Sequence, residues 1–303
     1  MAGKVLATDL DGTLFFPKSQ IQMIPRKNRR FLKKWIQDGN RLVLVTSRGH
    51  EFMDRMKKKF PDIPFDIVGG DGTFVQIGDQ IVKEEYFEAE PFRRFLKELE
   101  SDYEPSLLMT SSKDYGIIQR RSHNHGLANF FYVIYQLYQG TYRESRVKDD
   151  QVFYGEIEKG RTYKLMACIG LTKTKQRLAY HLTNLFTKEY PDFEFAWLNQ
   201  FIEVTPKGCD KSSGLSFYLD YLGIPKENVS VIGDSGNDAP MFEAFYENSY
   251  CMAHSRHPSK NALPTSCVGS AIWKKCYTHR WIATTPKGNL RRNESDQRSR
   301  HHA

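Results

Sequence analysis

The feature that most constrains this chain is an alternation near its start. Short apolar runs at Lys4 to Thr8, Arg41 to Val45 and Phe65 to Val68 are separated by two longer stretches, Pro25 to Gly39 and His50 to Phe60. In the first of these, Phe31, Leu32, Trp35 and Ile36 fall on one helical face, and Gly39 stands where such a helix would end. The second has the spacing of a basic amphipathic helix. Runs that are both short and uniformly apolar suit strands buried on two faces, and strands alternating with helices pair in parallel. The expected fold class is α/β, with a Rossmann-like doubly wound parallel sheet.

From about Thr73 the pattern changes. Phe74 to Ile77 and Gln80 to Lys83 alternate on either side of Gly78 and Asp79, as a hairpin does. Pro91 to Glu100 reads as a helix, and Leu107 to Thr110, Gly116 to Arg120 and Lys164 to Ile169 read as strands. A long amphipathic helix, Lys173 to Glu189, and two more strands, Glu194 to Leu198 and Ile202 to Thr205, complete a separate α+β module. Leu127 to Gln139 is aromatic-rich without a clear period. The first pattern then resumes with a helix at Lys211 to Leu222, a strand at Val229 to Gly233, a helix at Asp238 to Phe245 and a strand at Asn248 to Met252.

Two loops at strand ends carry the chemistry. Asp9-Leu10-Asp11-Gly12-Thr13-Leu14 follows the first strand, so two carboxylates leave the carboxyl edge of the sheet, where open α/β sheets place ligands. One carboxylate can attack phosphorus while the other, Asp11, serves as acid and then base. Taken alone the segment also reads as an ordinary turn. The second loop, Gly233-Asp234-Ser235-Gly236-Asn237-Asp238, sets carboxylates beside small residues. With Asp9 these could supply the oxygen ligands that Mg2+ prefers. Thr46 and Ser47 end the second strand, and Lys211 opens a helix after Gly208. Hydroxyls and an ammonium so placed suit the oxygens of a phosphoryl group.

The order of these segments resembles the haloacid dehalogenase superfamily of phosphatases, in its Cof-type branch with an α/β cap (type IIB), over about residues 1 to 275. The resemblance implies that Asp9 is nucleophile and magnesium ligand. Asp11 would be the acid-base and bind the metal through its main-chain carbonyl. Asp234 would be a metal ligand, Asp238 would orient the metal's water shell, and Thr46, Lys211 and Asn237 would hold phosphate. It also implies a discontinuous layout: residues 1–80 and 199–284 as catalytic core and 81–198 as cap. The polar stretch 285–303 is expected to be a mobile tail. An aspartate at position 11 favours phosphate ester hydrolysis over carbon-halogen chemistry. The chain departs from the branch at Ser47, where glycine is common, and at Gly70-Asp71-Gly72, where an Asn-Gly turn is usual. It departs again at Ala253 to Pro258, in place of a Gly-rich loop. Specificity is expected in the cap, where Arg120, Arg121, His123, Asn124 and His125 form a polar cluster that could face substrate or solvent. Arg48 lies close enough to Thr46 to reach substrate as well.

Composition narrows the remaining classes. A formal net charge of +8 raises nucleic acid as a partner, but the excess is split between Pro25 to Lys34, Lys57 to Lys59 and the tail, so a solvated helical face is the plainer reading. No run approaches the roughly 18 to 20 apolar residues of a membrane span, and no signal-peptide core opens the chain. The 5 cysteines are scattered without C-x-x-C spacing, as unpaired thiols would be. The expectation is a cytoplasmic, magnesium-dependent phosphatase, monomeric or homodimeric, acting on a small phosphorylated metabolite such as a sugar phosphate. Two alternatives remain: a phosphotransferase like phosphomannomutase, and a basic nucleic-acid-binding protein without catalysis.

Overall fold

In the computed structural model, residues 3–17, 22–120, 146–198, 200–252 and 267–268 are described. The first part of the chain forms β1 (Val5–Thr8), α1 (Arg26–Gln37), β2 (Arg41–Val45), α2 (His50–Lys59), β3 (Asp66–Gly69), β4 (Phe74–Ile77) and β5 (Gln80–Glu84). Next come α3 (Ala89–Tyr103), β6 (Leu107–Ser112), β7 (Gly116–Gln119), β8 (Arg146–Lys148) and α4 (Asp150–Glu158). These are followed by β9 (Thr162–Cys168), α5 (Lys173–Glu189), β10 (Phe193–Leu198) and β11 (Phe201–Pro206). The last part gives α6 (Lys211–Leu222), β12 (Val229–Gly233), α7 (Ala239–Ala244), β13 (Ser249–Met252) and β14 (Cys267–Val268).

The apolar runs become strands because both faces of each are covered. Every residue of β1 is buried, with Leu6 in one core and Val5 and Ala7 in the other. The first core also holds Leu32 and Trp35 of α1 and Phe52, Met53 and Met56 of α2. The second holds Leu215, Tyr218 and Leu219 of α6 and Met241 and Phe242 of α7. Helices therefore flank an eight-stranded sheet of order β14-β13-β12-β1-β2-β3-β4-β5, parallel from β14 to β3. Its last two strands run antiparallel, since the tight hairpin at Gly78 and Asp79 leaves no length for a crossover.

A second, six-stranded sheet, β10-β11-β9-β6-β7-β8, packs one face against α3, α4 and α5 through a core that includes Phe92, Phe95, Phe153, Leu165, Leu182, Phe186 and Ile202. The sequence-based boundaries at 80 and 199 cut across this pairing. β5 bonds to β4 in the first sheet, while β11 bonds to β9 and β10 in the second. A strand belongs with the partner that satisfies its backbone, and local pattern does not identify that partner. β8 and α4 had no sequence-based expectation. Both are short, and α4 is started by Asp149, whose carboxylate accepts from the amides of Gln151 and Val152. The stretch 127–139, His123, Asn124 and His125, the loop 253–258 and the tail lie outside the described residues. Among the described residues no helix is long and apolar enough to cross a membrane.

Candidate active site

Register brings the two acidic loops together. Thr8 lies level with Leu44 on one side and Ile232 on the other, so the chain leaves β1, β2 and β12 at one edge. The Asp9 amide still donates to the Ile232 carbonyl at 2.9 Å, which fixes the first residue beyond the strand. The turn that follows needs its glycine. Gly12 has φ of 84°, and a Cβ there would lie 2.2 Å from Asp234 Oδ2. That close approach lets the Thr13 hydroxyl donate to Asp234 Oδ1 at 2.9 Å. Asp11 turns the other way and meets Arg48 in a fork, Nε to Oδ2 at 2.5 Å and Nη2 to Oδ1 at 2.8 Å. The Arg48 guanidinium is steadied by the ring of Phe52, 4.1 Å away.

Lys211 arrives from the far side of the sheet. Asp210 and Ser213 form a capping box that starts α6 and sets Lys211 in its first turn. Its ammonium, only 1% exposed, donates to Asp9 Oδ1 at 2.8 Å and to Asp238 Oδ1 at 2.6 Å. The other Asp238 oxygen accepts from the amides of Asp234 and Ser235, each at 2.9 Å. Asp9, Asp234 and Asp238 thus offer carboxylate oxygens within 4.8 Å of one another. Burial, then repulsion by Asp238 and Asp234 against the pull of Lys211, holds the Asp9 carboxyl well above the usual carboxylate range. Burial and Asp238 push Asp234 up to about 7. Burial would lower the Lys211 pKa, but Asp238, Asp9 and Asp71 outweigh it and hold it well above the ordinary value. One ammonium among three carboxylates, two buried and one partly buried, leaves negative charge to neutralise, and the donors are all hard oxygens. The residues fit a magnesium ion. Because Asp238 is already committed on both oxygens, Asp9 and Asp234 are the carboxylates left to face it.

The expected phosphate-binding residues line the same edge. Thr46 is buried, and its hydroxyl accepts from the Arg48 amide at 3.3 Å. Asn237 accepts at Oδ1 from the Ser235 hydroxyl at 2.6 Å, and its amide group donates to Asp71 Oδ1 at 3.3 Å. The Ser47 carbonyl accepts from Lys164 Nζ at 3.0 Å. Arg120 is not brought in. Its guanidinium pairs with Glu100 of α3 at 2.6 Å, and Glu100 also accepts from the Tyr154 hydroxyl. His123 and His125, expected beside it, lie outside the described residues.

Three buried residues that sequence reasoning passed over or noted only as a departure join the two units. Lys164 of β9 reaches across to Asp71 Oδ2 at 2.7 Å and also pairs with Glu203 of β11. Asp71 occupies the position where the resembled branch has asparagine. Burial would lower the Lys164 pKa, but the two carboxylates outweigh it and raise it. Burial would raise that of Asp71, but Lys164 and Lys211 hold it below its ordinary value. Glu203, buried and beside Asp71, is pushed up to about 7. The available signal was a charged residue in the middle of each of two apolar strands, TYKLMAC and FIEVTP.

The family described as haloacid dehalogenase-like hydrolase matches residues 6–267. No curated protein matches the sequence. Among solved structures, the phosphatase BT1666 from Bacteroides thetaiotaomicron is similar at TM-score 0.64 and 18% identity, over 86% of each chain. The HAD subclass IIB sugar phosphatase BT4131 is similar at 0.64 and 18%, over 86% of this chain and 91% of its own. A haloacid dehalogenase-like hydrolase from B. subtilis reaches 0.68 and 19%, over 84% and 90%. At these identities the likeness is one of fold.

Proposed function

The chain belongs to the haloacid dehalogenase-like hydrolases, and from that membership we propose that it is a magnesium-dependent phosphatase working through an aspartyl-phosphate on Asp9. The observation that carries the reading is the meeting of Asp9, Lys211, Asp234 and Asp238, from three separated segments, in one largely buried place at the sheet edge. Its substrate is a small phosphorylated metabolite. The sugar phosphatase among the structural neighbours supports a sugar phosphate in that role.

The residues divide the work. An Asp9 oxygen attacks phosphorus as the bond to the leaving oxygen breaks, and Asp11 gives that oxygen a proton. Asp11 then takes a proton from water, whose oxygen attacks the phosphorus of the acyl phosphate, releasing inorganic phosphate and restoring Asp9. Lys211 neutralises phosphoryl charge, while Thr46, Ser47 and Asn237 offer hydrogen bonds to its oxygens. Asp9 and Asp234, with the main-chain carbonyl of Asp11, would hold magnesium, and Asp238 would orient its shell. Bound there, the ion supplies the positive charge that lets an anionic nucleophile approach an anionic substrate. Arg48 holds both Asp11 oxygens in the structure and must release one for that carboxyl to carry the proton.

Phosphate release from a panel of sugar phosphates, with magnesium, a chelator control and no added acceptor, tests this. Turnover should vanish with chelator. Asp9→Asn should lose both turnover and the hydroxylamine-sensitive phosphoenzyme. Full activity without metal, or in Asp9→Asn, would remove the proposal, and loss of the sugar phosphate only with an added sugar acceptor, without release of inorganic phosphate, would make the protein a phosphotransferase.

A further inference from the structure

Between the two units lies a cleft of about 330 Å³ whose lining includes both residues of the phosphate site and aromatic side chains. Lys211 and Asn237 of the phosphate site line it, together with Glu203, Tyr180 and Trp197 of the second unit. The Tyr180 and Trp197 rings meet edge to face at 5.2 Å. Its size is that of a small-molecule site.

The charges along the cleft are predominantly negative. Asp71, Glu194, Glu203 and Asp210 line it, while Lys211 is the lining cation and is already held by Asp9 and Asp238. Most of these carboxylates are engaged elsewhere. Asp210 caps α6, Glu194 pairs with Lys207 and accepts from the Gly208 amide, and Asp71 takes Lys164. Glu203 differs. It is 2% exposed, Lys164 stands at Oε1, and Oε2 has no hydrogen-bond partner among the described residues. A buried acceptor left open is costly unless something donates to it.

We propose that this cleft receives the leaving group and that Glu203 reads it, selecting an uncharged or amino-substituted polyol and rejecting one that carries a second anionic group. This rests on the phosphatase reading above and narrows its substrate class. A hydroxyl or ammonium on the leaving group donates to Glu203 Oε2. The Tyr180 and Trp197 rings pack against the C–H face of a sugar. A second phosphate would instead meet carboxylates with no unengaged cation among the described lining residues, an arrangement that discriminates through repulsion.

The test compares glucose 6-phosphate, glucosamine 6-phosphate and glucose 1,6-bisphosphate, which share a ring and differ in the charge of the leaving group. For the wild-type full chain with magnesium, kcat/KM for the bisphosphate should fall roughly tenfold or more below glucose 6-phosphate, and glucosamine 6-phosphate should equal or exceed it. Glu203→Gln should lower kcat/KM for glucosamine 6-phosphate and narrow the gap to the bisphosphate. If that variant does not fold, the wild-type ranking decides alone. p-Nitrophenyl phosphate serves as the control for the chemistry. Its turnover together with equal use of all three sugars, or preference for the bisphosphate, overturns the selectivity and leaves the phosphatase standing. If nothing is hydrolysed, the phosphatase reading fails. Calorimetric binding of the three sugar phosphates to Asp9→Asn must then show the same order, and no binding or the reverse order overturns the proposal.

Discussion

Asp9 and Asp11 leave one strand two positions apart, yet the fold gives them different company. Asp9 is buried against Lys211, whereas Asp11 keeps a third of its side chain in solvent and is gripped by Arg48. Their losses should therefore differ. In Asp11→Asn the amide cannot move protons, but Asp9 can still attack when the leaving group needs no acid. With p-nitrophenyl phosphate, stopped-flow absorbance should show a burst of nitrophenol close to one equivalent, followed by turnover slowed by roughly 10²-fold or more. A linear trace at the wild-type rate would assign the proton transfers to another residue. At this scale much was legible. Asp9, Asp11, Asp234 and Asp238 announce themselves by standing in glycine-containing loops at the ends of apolar runs, and Arg48 by its nearness to Thr46. Lys164 and Glu203 did not, because a charge in a strand has meaning only once its partner across the cleft is known. Arg120 shows the converse: its polar neighbourhood suggested substrate, and the helix packed beside it supplied Glu100 instead.

Among elements, α6 does the most for the site, since its capping box delivers Lys211. The Asp210 carboxylate accepts from the Ser213 amide at 2.7 Å, and the Ser213 hydroxyl bonds back to the Asp210 backbone. Asp210→Ala should cost about 1 kcal/mol, the usual worth of such a cap, read as a lowered midpoint of denaturant unfolding. A fall in kcat should accompany it as the first turn of α6 loosens around Lys211. An unchanged midpoint would mean that Lys211, pinned by its two carboxylates, holds the helix start without the cap. The alternation of strand and helix was readable for the same reason that it folds: uniformly apolar runs have to be covered on both faces. The hairpin of β4 and β5 was readable as a hairpin, but not as an edge of the first sheet. Its residues pair locally whichever sheet they extend, and only the bonding of β4 to β3 decides.

For the whole molecule, the tie between the two units is the buried group of Lys164, Asp71 and Glu203. Removing one partner strands the rest, which is costlier than never having built the group. Lys164→Met should lose about 3–5 kcal/mol in equilibrium unfolding. Glu203→Gln placed on top of it should cost less than it does alone, because one stranded carboxylate is gone. Simple additivity of the two changes would show that the residues do not act as a group. The sheet order has a consequence in time. β1 pairs with β12, and Asp9 finds Lys211 across 202 residues of chain. As the protein is synthesised, the inserted sheet has all its described strands before β12 exists, while β1 waits with one edge unpaired. Contacts so distant in sequence make folding slow and leave that edge open to wrong partners. Asp9 thus leaves the ribosome 202 residues ahead of Lys211, and Asp234 and Asp238, which complete its surroundings, follow later still.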